Sequence, residues 1–179
     1  MEKQFVFAGF GGQGILTTGL IIAHIGAMQD KEVTWIPSYG AEMRGGTANC
    51  TVKISDDLIG SPFVKKIDIL IAMNQPSIDK FLSQMSDNGL ILVNSSIIKE
   101  VPQKGNIKVV EIPAAEVCEK ISYARGTNIC IIGALAACTD LFDKACYEEG
   151  IRHYFAKKPQ FHENNLAAFR AGYEYVAKG

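Results

Sequence analysis

Charge of one sign is not in excess in this chain. Its 18 Lys and Arg against 19 Asp and Glu leave a formal net charge of -1, so the basic footprint of a nucleic-acid or anionic-membrane binder is missing. A long apolar run is missing too. The longest, "ILTTGLIIAHIGAM", holds Thr17, Thr18, Gly19 and His24, and it falls short of the roughly 20 residues of a membrane span. The start, "MEKQFVFAGFGG", carries Glu2 and reaches glycines too soon for a signal-peptide core. Cys50, Cys118, Cys130, Cys138 and Cys146 form no C-x-x-C pair. That spacing argues against zinc or iron–sulfur ligation by this chain alone and for reduced, mostly buried thiols in the cytoplasm. No Ser/His/Asp or Cys/His grouping and no paired carboxylates stand out. His24, His153 and His162 are scattered, and His24, inside an apolar helix, reads as a core residue. Without repeats, low-complexity segments or linkers, residues 1–179 read as a single domain.

What is present is an alternation of short apolar runs and helical patterns. Strands are expected at Gln4–Ala8, Val33–Ile36, Cys50–Ser55, Ile67–Asn74, Gly89–Asn94 and Ile107–Ile112. Helices are expected at Ile15–Met28, Pro76–Met85, Ala114–Ile121 and Asn128–Phe142, followed by a helical tail in which Leu166, Phe169, Tyr173 and Val176 recur at helical spacing. Together they predict an α/β, Rossmann-like domain with a largely parallel sheet flanked by helices, a β-hairpin-like excursion and a helical C-terminal tail. Ligands of such sheets sit at the carboxyl ends of the strands. There the sequence puts the glycine loop, Asn74 and Asn94.

The loop "GFGGQG" fits G-x-G-x-x-G through Gly9, Gly11 and Gly14. Unpaired N–H groups at the following helix start favour an anion, and glycines let it approach the backbone. Gly9, Gly11, Gly12, Gln13, Gly14 and Thr17 are the candidates here, with Thr18 a further hydroxyl. A tight turn without ligand is the alternative. A dinucleotide site also needs an acid at the end of the second strand. That strand instead runs through Trp35 and Ile36 into Pro37, Ser38 and Tyr39, and Asp30 and Glu32 precede it.

The second informative loop is "PSYGAEMRGGTANC". Long loops in compact domains tend to be functional. Tyr39, Arg44, Gly45 and Gly46 are its candidate binding residues. Arg44 can hold a phosphate or a carboxylate in bidentate fashion.

With "GFGGQG", "SYGAEMRGG", "NCTVKIS", "DILIAMN" and "NNLAAFRAGYEYV" in this order, the chain resembles, nearly end to end, the gamma subunit of the 2-oxoacid:ferredoxin oxidoreductases (the pyruvate/ketoisovalerate oxidoreductase gamma-type domain). "EMRGGTANC" is most like the 2-oxoglutarate or branched-chain 2-oxoacid type. The resemblance implies oxidative decarboxylation of a 2-oxoacid with coenzyme A, giving acyl-CoA, carbon dioxide and reduced ferredoxin. It implies alpha and beta partner subunits, with or without a delta subunit, and ferredoxin reached through the complex. Thiamine diphosphate, Mg and 4Fe-4S clusters are expected on those partners. This sequence has no Gly-Asp-Gly segment followed by paired asparagines; Asn164-Asn165 lacks that upstream partner. The chain is therefore expected to supply no catalytic or metal-binding residue, to be inactive alone, and to cover the active site while helping to hold coenzyme A. Two other readings stay open: a stand-alone dinucleotide-binding Rossmann module, and a purely structural subunit that seals an interface.

Overall fold

The computed structural model describes residues 1–39 and 47–178. Its strands are Glu2–Phe10 (β1), Glu32–Tyr39 (β2), Thr47–Ser55 (β3), Ile67–Ala72 (β4), Met85–Asn94 (β5) and Lys108–Ile112 (β6). The helices are Ile15–Met28 (α1), Gln75–Phe81 (α2), Ala114–Lys120 (α3), Thr127–Cys138 (α4), Lys144–Tyr154 (α5) and His162–Ala177 (α6). One sheet takes the order β2-β3-β1-β4-β5-β6. β1, β4, β5 and β6 run parallel, while β3 is antiparallel to both β1 and β2. The expected excursion is thus a pair of long strands, and β3 lies between β1 and β2.

The central strands are apolar on both faces because both are covered. Phe5, Phe7, Ile69, Ile71 and Leu92 join the core formed with α1, α3, α4, α5 and α6. Val6, Ala8, Leu70, Ala72, Ile91 and Val93 join the smaller core with Ile78 and Phe81 of α2. Each fully buried Phe or Leu contributes about 1.5–3 kcal/mol, so this alternation anchors β1 at the centre of the sheet.

Several boundaries differ from expectation. β2 continues past Ile36 through Pro37, because β2 is an edge strand and Pro37 needs no ladder donor on its open side. The helix expected to reach Met85 ends at Phe81 and tightens into a 3-10 turn at Leu82–Gln84. β5 then begins at Met85, with a register shift opposite Ile67/Ile69. α4 starts at Thr127 and stops at Cys138, with Thr139 already extended. The tail consists of two helices, which Arg170 joins by donating to both carboxylate oxygens of Glu148 at 2.9 and 2.6 Å.

Candidate functional site

The carboxyl ends of β1, β4 and β5 open into a cavity of about 460 Å³. Gly12, Gln13 and Gly14 line it from the glycine loop, Met73 and Asn94 from the ends of β4 and β5, and Arg125, Thr127 and Asn128 from the start of α4. Gly14 precedes α1 in the left-handed conformation, φ 73°, and Gly12 has φ 96°. A Cβ at Gly14 would come within 2.8 Å of Asn128 Nδ2. Bare backbone is therefore needed twice there, for the turn and for the approach of α4.

Gln13 braces the loop. Its Oε1 accepts from Phe10 N at 2.6 Å, and its Nε2 donates to the Met73 carbonyl at 3.2 Å. Gly9 turns out to be a packing position: a Cβ there would fall within 2.6 Å of Gln13 Oε1 and 2.9 Å of Ile15. Gly11 is exposed in the turn. Thr17 lines an adjoining pocket rather than this cavity. Thr18 is not a free donor, because its hydroxyl donates to the Gly14 carbonyl at 3.0 Å. Arg44, Gly45 and Gly46 lie outside the described residues, as does the side chain of Tyr39.

The two strand-end asparagines divide. Asn74 caps α2, accepting from Ser77 N at 3.0 Å and from its hydroxyl at 2.5 Å. Asn94 reaches the cavity, and its Oδ1 accepts from Ser96 N and Ala114 N, both at 3.2 Å. Electrostatically the cavity is positive. The first turns of α1 and α4 both border it, and their leading N–H groups have no intrahelical acceptor. Arg125 is exposed and has no carboxylate partner among the described residues. Among the described residues no carboxylate, thiol or imidazole lines the cavity. Arg125, Thr127 and Asn128 escaped sequence reasoning, since they lie more than 100 residues from the glycine loop. A Thr-Asn pair opening an apolar helix was the available signal.

The other titratable groups lie elsewhere. His24 is only half-buried and stacks on His153 with ring centroids 5.0 Å apart. All five thiols are free. Burial pushes the Cys50 thiol up to about 12, which leaves it protonated and inert. Among the described residues no three His, Cys, Asp or Glu are grouped to hold a metal ion. The described donor set therefore does not fit a cluster or a thiamine-bound metal.

Residues 4–175 match the family described as pyruvate ferredoxin/flavodoxin oxidoreductase. The chain belongs to this family. It is 38% identical over 177 residues to the ketoisovalerate oxidoreductase subunit VorA of Methanothermobacter thermautotrophicus, a match covering 98% of this chain and 36% of VorA. The chain thus spans little more than a third of that relative. The 2-oxoglutarate synthase subunit KorC of Methanocaldococcus jannaschii is 36% identical over 182 residues, with 99% of this chain and 95% of KorC covered. Among solved structures, the gamma subunit of a keto/oxoacid ferredoxin oxidoreductase from Geobacter sulfurreducens superposes with a TM-score of 0.83, at 28% identity and 99% coverage of both chains. A 2-oxoglutarate:ferredoxin oxidoreductase from Magnetococcus marinus, solved with 2-oxoglutarate, coenzyme A and succinyl-CoA bound, shares the fold. Its TM-score is 0.86 at 23% identity, with 99% of this chain and 31% of that chain covered.

Proposed function

We propose that this chain is the gamma-type subunit of a 2-oxoacid:ferredoxin oxidoreductase, residues 1–179 forming one domain, and that its glycine-loop cavity holds a phosphate of coenzyme A. The complete enzyme converts a 2-oxoacid of the ketoisovalerate or 2-oxoglutarate type and coenzyme A into acyl-CoA and carbon dioxide, two electrons passing to ferredoxin. Thiamine diphosphate on the partner subunits supplies carbanion stabilisation and their clusters take the electrons. This chain's share is to bind and orient. The observation that carries the reading is the convergence of two helix starts and of Arg125 on a cavity in which the described residues place no opposing carboxylate. Tyr39, Arg44, Gly45 and Gly46 belong, in this proposal, to the loop that faces the partner across the same site.

The topology weighs against a nicotinamide dinucleotide. In that fold the second strand lies beside the first, so its terminal acid reaches the ribose. Here β3 separates β2 from β1, which moves the end of β2 two strand spacings away from β1, roughly 9–10 Å. A sugar held from β2 would be out of reach of the glycine loop.

Arg125→Ala in the assembled enzyme tests the reading. The KM for coenzyme A should rise about tenfold, the equivalent of about 1.4 kcal/mol, while the melting temperature stays within a degree or so because the residue is exposed. An unchanged KM for coenzyme A would remove the phosphate from this cavity.

A further inference from the structure

The connection from β3 to β4, "DDLIGSPFVKK" from Asp56 to Lys66, contains no helix or strand. Because β1 lies between β3 and β4 in the sheet and β3 runs antiparallel to it, this segment crosses the amino end of β1. The glycine-loop cavity is at the other end. The backbone of the segment is tied down. Asp56 N donates to the Met1 carbonyl at 2.9 Å, and Lys65 N donates to Gln4 Oε1 at 3.1 Å. The Asp56 carboxylate accepts from the amines of Met1 and Lys31, both at 2.6 Å, and Val64 packs against the smaller core. Yet this fixed segment holds Leu58, 86% exposed, and Phe63, 69% exposed, the two most exposed large apolar side chains among the described residues. Beside it, at the same amino end, opens a groove of about 370 Å³ lined by Met1, Lys3, Asp68, Leu90 and Leu141.

Apolar side chains presented by an already ordered backbone lose little further freedom on docking. Asp57 borders Leu58, and Lys65 and Lys66 follow Phe63, all of them exposed. An apolar centre inside a charged rim is the anatomy of a protein interface. That rim carries both signs, whereas an anionic lipid surface selects cations alone. A second copy of this chain gains too little from the patch. Phe63 offers at most the roughly 150–250 Å² of an aromatic side chain, and even with Leu58 the sum falls well short of the roughly 800 Å² per partner in a stable interface. The patch suits one end of a larger contact. β1 is 9 residues long, so about 30 Å separates this segment from the cavity, and the occupant must reach both ends. A large partner polypeptide does so. In VorA the matched domain is 36% of the chain, and the greater part of that polypeptide lies outside it.

We propose that the segment carrying Leu58 and Phe63 is a docking surface for the catalytic partner subunit, which covers these two side chains with apolar groups of its own. The inference rests on the reading of this chain as one subunit of the oxidoreductase. The domain is then gripped at both ends of β1, by the patch at the amino end and across the cavity at the carboxyl end. A single contact leaves a hinge. Two contacts fix the tilt of the domain, and with it the distance from the cavity to the partner's reacting centre, where small misplacements are costly in rate.

The test titrates this chain into the partner subunits and compares wild type with the double variant Leu58→Ser, Phe63→Ser. Both side chains are exposed, so the urea midpoint of the variant should equal that of wild type. Its Kd for the partner subunits should rise about a hundredfold, while KM for coenzyme A, measured with the chain at saturation, stays unchanged. Should the double variant show a lowered urea midpoint, Leu58→Lys alone, at the more exposed position, decides. An unchanged Kd would overturn the docking surface and leave the subunit reading standing. If in addition wild type sediments as a dimer and the variant as a monomer, the patch belongs to a second copy. If instead wild type binds vesicles of phosphatidylserine and phosphatidylcholine and the variant does not, it belongs to a membrane. A wild-type chain with no affinity for the partner subunits would overturn both readings.

Discussion

Gly14 carries two constraints at once. Its φ of 73° is a left-handed conformation that other residues adopt at a cost, and its missing Cβ leaves room for Asn128. Gly14→Ala should therefore destabilise the chain by about 1–3 kcal/mol and displace Asn128 from the cavity wall. A urea titration checks the first effect, and a midpoint equal to wild type would show that the loop relaxes freely. The glycines were legible in the sequence because few other roles call for so many in one turn. Gln13 is less so: its amide bond to the Met73 carbonyl joins positions 60 residues apart. Asn165 was visible as half of an Asn-Asn pair, but its meaning depends on Tyr123, 42 residues away. Spacing along the chain does not encode such partners.

At the scale of elements, α4 and α6 pack backbone against backbone. A Cβ at Gly133 would overlap the Phe169 carbonyl, and one at Gly172 would overlap that of Cys130. This close approach brings Asn165 on α6 and Asn128 on α4 to one pocket. Most helices and strands were readable because their apolar runs end at glycine, proline or asparagine. The order β2-β3-β1 was not, because an alternating strand such as β3 pairs equally well at an edge or in the interior. Helix α1 also meets α5 through His24, whose Nε2 lies 2.9 Å from His153 Nδ1. Burial first, and the neighbouring His153 second, lower the His24 pKa below its ordinary 6.5. A lowered folded pKa means that the unfolded chain binds more protons on acidification. The stability contribution is thus complete above the unfolded value and is lost as pH falls through it toward the folded one. The urea midpoint should drop between about pH 7.5 and about pH 5.5, the range in which histidine titrates. In His24→Gln the slope should flatten. An identical slope in the variant would assign the pH dependence to other groups.

For the molecule as a whole, the decisive property is what the described wall of its cavity offers. Among the described residues that line it, Gly12, Gln13, Gly14, Arg125, Thr127 and Asn128 offer donors and a cation, and none is a carboxylate, thiol or imidazole. A general acid or base contributes typically 10²–10⁴-fold when positioned at the reacting atoms, and the described part of this wall holds no such group. The same domain occurs as nearly the whole of a KorC chain and as about a third of a VorA chain, so nature uses it both as a separate polypeptide and joined to more chain. A binding domain tolerates either arrangement provided that its cavity meets the reacting centre. We predict that the purified chain shows no 2-oxoacid- and coenzyme-A-dependent dye reduction and no visible absorbance, and that adding the partner subunits restores turnover. Turnover by the chain alone would overturn the subunit reading. Turnover by the partners alone, at the full rate and with an unchanged KM for coenzyme A, would show that this domain neither binds nor positions the substrate.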